Sequence, residues 1–350
     1  MKIVSSSPHI HDSLRTDRAM LFVVIALLPS AIWGVYAFGM RALLVLVVSV
    51  LSSLLTEYIL ERIGGKFTLK DFSAAVTGLL IGMNMPPMVP LYIPVIASVF
   101  AMLVVKWTFG GLGANWMNPA LAGRVFVFFS FSSQMSSFSL PRALSADLVT
   151  SATPLSQIKT MITSGVGGIS NSEMLSRVTY PVSEMAGNLS SSLGIPGYTI
   201  DAFVGNIGGC IGEVSSLLLL VGGLFLIFKK IITWHIPVTY LASFAILSWI
   251  FGGVPRGLGL FSGEVLYPLF TGGLFLGAFF MATDWVTTPT TKKGEIIFGI
   301  GCGFFTFLIR YFGSLPEGVS LAILLMNILT PTIDRFVRPK KFGYVKEVKA

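Results

Sequence analysis

Residues 20–38 read MLFVVIALLPSAIWGVYAF and residues 43–60 read LLVLVVSVLSSLLTEYIL. The first run has no charged residue, and the second has one, Glu57, near its end, followed closely by none before Glu61. A helix rises about 1.5 Å per residue, so about 20 apolar residues match a hydrocarbon layer about 30 Å thick. Both runs read as membrane spans. The rest of the chain agrees: 350 residues, 53% hydrophobic and 11% charged, with a mean hydropathy of +0.81. A soluble domain carries about 25% charged residues.

Further apolar runs lie near 72–87, 91–108, 115–133, 203–228, 236–253, 264–283, 295–312 and 318–334. The expectation is an all-α polytopic membrane protein of about ten transmembrane helices. Two places are irregular. Met83-Asn84-Met85-Pro86-Pro87 ends a short run abruptly, and Gly205–Gly212 is rich in glycine. Broken or re-entrant helices are expected there, and such backbone survives at membrane depth only where protein or a cavity covers it. Five regions follow: an N-terminal segment (1–19), a first five-helix repeat (20–133), a long loop (134–202), a second five-helix repeat (203–334) and a basic tail (335–350).

The net charge of +8 does not indicate a nucleic-acid partner, because the basic residues sit mostly at span ends and in the tail. Their distribution orients the chain instead. With both termini cytoplasmic, inside segments hold 18 of the 24 Lys and Arg residues. Outside lie Arg41, Arg142, Lys159, Arg177, Arg256 and Arg310. Arg124 is counted inside although it falls in the middle of the fifth run. This asymmetry follows the positive-inside rule and places the long loop outside. The polar start and the lack of a cleavage pattern predict an uncleaved first span. Gly78-Leu79-Leu80-Ile81-Gly82 echoes Gly273-Leu274-Phe275-Leu276-Gly277, and Phe109-Gly110-Gly111-Leu112 echoes Phe312-Gly313-Ser314-Leu315. Spans three and eight, five apart, would then run in opposite directions, the mark of an inverted repeat. Cys210 and Cys302 read as buried small hydrophobes, and His9, His11 and His235 as scattered surface residues.

The loop contains Asp147-Leu148-Val149-Thr150-Ser151-Ala152-Thr153-Pro154. Thr153 offers a hydroxyl beside small Ala152 and Ser151, with the Asp147 carboxylate upstream and Pro154 fixing the backbone after it. By composition alone this is an ordinary Ser/Thr turn. The stretch nevertheless resembles the flavinylation motif D-x-x-[ST]-[GS]-A-T, in which a flavin transferase moves FMN from FAD onto the last threonine through a phosphoester. Glycine is the commoner residue where Ser151 stands.

Other segments point to one family. Phe109-Gly110-Gly111-Leu112-Gly113-Ala114-Asn115-Trp116-Met117-Asn118-Pro119-Ala120 resembles a signature of the NqrB/RnfD family. That family holds the D component of Rnf ion-translocating oxidoreductase complexes and the B component of the sodium-pumping quinone reductase. Similar resemblances are carried by Ala282-Thr283-Asp284 with Thr287-Thr288-Pro289, by Pro316-Glu317-Gly318-Val319 with Leu324-Leu325-Met326-Asn327, and by the opening Ser7-Pro8-His9-Ile10. Length and a short N-terminal segment favour the Rnf branch.

The resemblance implies an electron-carrying subunit, inactive alone, of a complex in a bacterial or archaeal cytoplasmic membrane. Such a complex couples ferredoxin and NAD redox chemistry to Na⁺ or H⁺ movement. FMN would be covalent on Thr153, within the motif Asp147, Thr150, Ser151 and Ala152. A noncovalent riboflavin is implied near the cytoplasmic side, with Asn115 and Asn118 as its candidate polar contacts; equally, both asparagines could cap the helix that starts at Pro119. Implied partners are membrane iron–sulfur subunits, a second flavin subunit, cytoplasmic NAD- and ferredoxin-handling subunits, the flavin transferase and membrane lipid. The chain has no strand–GxGxxG–helix context for NAD and too few cysteines for an iron–sulfur cluster. Glu57, Glu213, Glu264, Asp284 and Asp334 are candidates for an ion path. The competing reading is a small-solute channel or transporter built on the same inverted repeat.

Overall fold

In a computed structural model of the chain, the described residues are 15–64, 69–142, 144 and 150–338. Asp147, the Ser7–Ile10 opening and the last residues of the basic tail lie outside them. Gly39, at φ 81°, ends α1 (Thr16–Phe38) and lets α2 (Met40–Gly64) start at once. The buried residues of α2, including Ala42, Val45, Ser49, Ser53, Glu57 and Leu60, recur every three or four positions and form one stripe. Against it packs α3 (Ser73–Met83). A Cβ on Gly78 would stand 2.7 Å from Val50 Cα, so the absence of a side chain is what allows this approach.

α4 (Tyr92–Phe100) continues as a π-helical stretch over Ala101–Trp107. α5 (Pro119–Ser130) starts with proline at its first position and Asn118 as its cap. A short α6 (Ser132–Met135) follows. In the second half come α11 (Ser216–Phe228), α12 (His235–Phe251), α13 (Leu266–Phe270), α14 (Leu274–Leu276) running into a π-helical stretch (Gly277–Met281), α15 (Lys292–Tyr311) and α16 (Val319–Phe336). Among the described residues, five helices are long and apolar enough to cross a membrane, and four shorter apolar ones accompany them. The outer faces of α1 and α2 expose Ile25, Ile32, Leu51 and Leu55, the polarity expected where lipid replaces water.

Both irregular places leave the helical path, the first as α3 ends at Met83, and they meet. The Gly212 N–H donates to Met83 O at 2.8 Å, and the Ile211 N–H to Met85 O at 3.1 Å. Ser30 Oγ closes the junction on Gly212 O at 3.0 Å. A Cβ on Gly212 would lie 2.4 Å from that of Met83. Broken backbone from each half therefore satisfies the other half.

The long loop has more structure than its composition suggested. Phe138–Ser139 (β1) pairs antiparallel with Thr150–Ser151 (β2). Four helices follow: α7 (Pro154–Thr163), α8 (Asn171–Arg177), α9 (Glu184–Leu193) and α10 (Gly197–Val204). Part of its serine and threonine content is helix caps. Thr153, Ser170 and Ser183 each accept a backbone N–H in the first turn of α7, α8 and α9.

Three arginines differ from their sequence placement. Arg124, counted as cytoplasmic, is buried within α5, and Arg256 and Arg310, counted outside, are buried as well. Setting these three aside leaves 17 inside against 4 outside, so the asymmetry stands. His235 is not a simple surface residue: its Nδ1 lies 3.3 Å from Glu295 Oε2.

Candidate functional site

Thr153 caps α7, and its Oγ1 accepts the Ser156 N–H at 3.2 Å. The residue is 4% exposed. Its hydroxyl thus sits at the positive end of a ten-residue helix, where an attached phosphate would be favoured. The preceding Thr150–Ser151 strand anchors the motif to β1, so it is held from both sides.

Thr153 lines a small pocket of about 320 Å³ with Gly208, Gly209, Glu213, Thr271, Gly272 and Glu317. The glycine-rich break before α11 and the turn before α14 form its floor. Beside it, the Gly208 N–H donates to the Tyr180 hydroxyl at 3.0 Å, and burial pushes that phenol well above its usual range. Asp201 accepts Ser183 N at 2.9 Å and Ser183 Oγ at 2.5 Å, while burial raises its carboxyl.

Beneath this pocket lies an ionic centre. Arg124 reaches Glu213 Oε1 at 3.1 Å and Glu317 Oε2 at 2.9 Å. It also donates to Asn84 Oδ1 at 2.9 Å and Ser320 Oγ at 2.8 Å. Cys210 Sγ is 3.6 Å away. Cys210 and Cys302 are both buried free thiols. One arginine thus ties α5 to α3, to α16 and to the break before α11. Sequence reasoning singles out Glu213 but misses Glu317 and the role of Arg124. A signal exists, since a charge in the middle of an apolar run needs a partner.

The other acidic candidates are dispersed. Glu57 forms a buried ion pair with Lys106, which also donates to Ser73 Oγ at 2.6 Å. Glu264 pairs with Arg256 at 3.4 Å. Asp334 accepts Thr290 N at 3.1 Å at the surface.

A second, larger pocket encloses about 800 Å³, part of it open to solvent. Both asparagines line it, with Lys106, Phe279, Phe280, Asp284 and Trp285. Asn118 uses its amide on the protein. Oδ1 accepts Ala120 N at 3.0 Å and Leu121 N at 3.3 Å, and Nδ2 donates to Met281 O at 3.2 Å. Asn115 donates to Met117 O at 3.0 Å and lines the pocket together with Asp284. Trp285 also lines the pocket.

The whole sequence, and not only these sites, matches known proteins. A family model described as NQR2, RnfD, RnfE covers residues 3–343. The chain belongs to that family.

It is 42% identical over 342 residues to the D component of the proton-translocating ferredoxin:NAD(+) oxidoreductase complex of Clostridium ljungdahlii, covering 97% of this chain and 96% of that protein. It is 42% identical over 347 residues to the D component of the Na(+)-translocating ferredoxin:NAD(+) oxidoreductase complex of Acetobacterium woodii, with 98% and 96% covered. The D component of the ion-translocating oxidoreductase complex of Salmonella newport is 36% identical over 359 residues, with 98% and 99% covered. As a member of the NQR2, RnfD, RnfE family the chain aligns with these relatives nearly end to end, so Thr153 and the Arg124 centre both lie within the family domain.

Proposed function

We propose that this chain is the flavin-carrying electron-transfer subunit of a membrane complex that couples ferredoxin and NAD redox chemistry to Na⁺ or H⁺ movement. The observation that carries the reading is Thr153: a motif threonine at the start of α7, beside a pocket floored by segments of the second half. The relatives' names supply the reaction class. On this reading ten spans form an inverted repeat of five plus five, both termini are cytoplasmic and α7 lies outside. Iron–sulfur, second flavin and NAD- or ferredoxin-handling subunits complete the complex.

Attachment requires the Thr153 Oγ–P bond to form as the pyrophosphate of FAD breaks, AMP leaves and the hydroxyl proton departs. A transferase would supply this step. The residues would suit the phosphate end of FMN: the α7 N-terminus would favour its charge, and Gly208, Gly209 and Gly272 line the pocket without side chains that would intrude. The pocket leaves little enclosed space, so the ring would be held outside it. Bound flavin supplies one- and two-electron transfer. The chain's own part is positional and electrostatic. Arg124 offsets part of the negative charge of Glu213 and Glu317, which would otherwise repel the phosphate more strongly.

The second pocket offers a noncovalent riboflavin an aromatic wall of Phe279, Phe280 and Trp285. There Asn115 and Asp284 would offer the polar contacts, and Asn118 would hold the wall as a helix cap.

The test is ultraviolet fluorescence of the denatured chain on a gel after co-expression with a flavin transferase, joined to intact mass. A mass gain of one FMN mapped to the Thr153 peptide and lost in Thr153→Val is expected. An unchanged signal in Thr153→Val would refute the covalent site.

A further inference from the structure

Below α7 lies a cleft that neither flavin site uses. It encloses about 720 Å³, part of it open, between α7, the end of α15, Pro268 and the turn at Arg256. Its lining carries three cations, Lys159, Arg256 and Arg310, and no carboxylate. Glu264, outside the lining, reaches Arg256 Nη1 at 3.4 Å. Neither Lys159 nor Arg310 has a carboxylate within ion-pair distance among the described residues.

Two of these cations lean on backbone. Arg310 donates to Pro268 O at 2.5 Å and Gly272 O at 3.1 Å. Lys159 donates to the Arg310 carbonyl at 2.7 Å and Leu315 O at 3.3 Å, leaving one ammonium proton unassigned. Arg256 is 1% exposed, yet its Nη2 has no acceptor among the described residues. A buried charged donor left unmet is costly. Burial and the nearby Arg310 cation also lower the Lys159 pKa, a sign that positive charge is crowded here.

We propose that this cleft binds a phosphate-type oxyanion. The unmet Arg256 Nη2 and the remaining Lys159 ammonium proton are charged donors that phosphate oxygens would take, with the Arg310 charge beside them, and the space exceeds what a single halide would fill. Phe312 lines the cleft and is 55% exposed, giving an apolar flank beside the charges. That chemistry suits either the headgroup phosphate of an anionic lipid or free phosphate. The bound group bridges α7 to α15 and so fixes the helix whose first residue follows Thr153.

The test uses the full chain in phosphate-free buffer, in phosphatidylcholine nanodiscs, and follows its thermal midpoint. Inorganic phosphate is added in one arm; in the other, phosphatidylglycerol replaces part of the lipid. A rise in the first arm assigns free phosphate, and a rise only in the second assigns lipid. Apparent affinity should fall about tenfold or more in Lys159→Gln and in Arg256→Gln, since each removes a charge-assisted contact. Lys229→Gln, outside the cleft, should respond as the wild type does. If Arg256→Gln does not fold, Lys159→Gln decides alone. No midpoint change in either arm, or an undiminished response in Lys159→Gln, overturns the proposal.

Discussion

Replacing Arg124 by methionine should be the most damaging single change in the interior. Methionine keeps much of the apolar stem without the charge, so the effect is chiefly electrostatic. Arg124 offsets Glu213, whose side chain is 3% exposed, and Glu317, at 16%. Glu317 is partly exposed, whereas Glu213 is almost wholly buried. Breaking a buried pair by removing one partner costs about 3–5 kcal/mol. The lost bonds to Asn84 and Ser320 add roughly 0.5–1.5 kcal/mol each. The expected destabilisation is therefore about 4 kcal/mol or more. Arg124→Met with Glu213→Gln removes the stranded charge and should recover about 2 kcal/mol, a positive coupling between neighbours. Unfolding by dodecyl sulfate titration in mixed micelles, followed by tryptophan fluorescence, measures both single variants and the double. An Arg124→Met loss below about 1 kcal/mol, or purely additive effects in the double variant, would contradict this account of the ionic centre.

Thr153→Val should cost about 1 kcal/mol through the lost α7 cap, independently of any flavin, whereas Thr153→Ser keeps the cap; the apoprotein's unfolding curves separate these effects. Gly212→Ala forces a Cβ within 2.4 Å of Met83 and should destabilise by roughly 1–3 kcal/mol, read from the same titration. Lys159 has a lowered pKa, so the folded chain releases that proton before the unfolded chain does. Without bound anion, stability should rise as pH climbs from the lowered value toward 10.5, and the Lys159→Met chain should lack that rise in a thermal-midpoint comparison.

The helical character of this chain is readable because lipid-facing surfaces such as Ile25, Ile32, Leu51 and Leu55 demand long apolar runs. The breaks at Met83 and Gly205 are readable too, from proline and glycine. That the two breaks join each other is not, because backbone hydrogen bonds carry no side-chain signature. The structure of the long loop is hidden for a related reason. Helices such as α9 (Glu184–Leu193) are short and serine-rich, so their stability rests on caps and tertiary contacts rather than on a visible apolar period. At the sites, Thr153 stands out through its neighbours in sequence. Glu317, Trp285 and Phe279 do not, since they reach their pockets only through the fold. The capping role of Asn118 is legible locally: an asparagine before proline suits a helix cap, and here its Oδ1 accepts the first N–H groups of α5.

The junction of Met83 and Met85 with Gly212 and Ile211 bears on how the protein is made. The two carbonyls emerge from the ribosome roughly 130 residues ahead of the amides that satisfy them, and at about 5–20 residues per second they wait on the order of ten seconds. In hydrocarbon an unmet carbonyl costs several kcal/mol, so the first half cannot settle into lipid as it leaves the translocon. It must be sheltered, by water, by an insertase or by the loop folding beside it, until the second half arrives. Cutting the gene between the halves would then produce two fragments that are each short-lived and become stable only when made together.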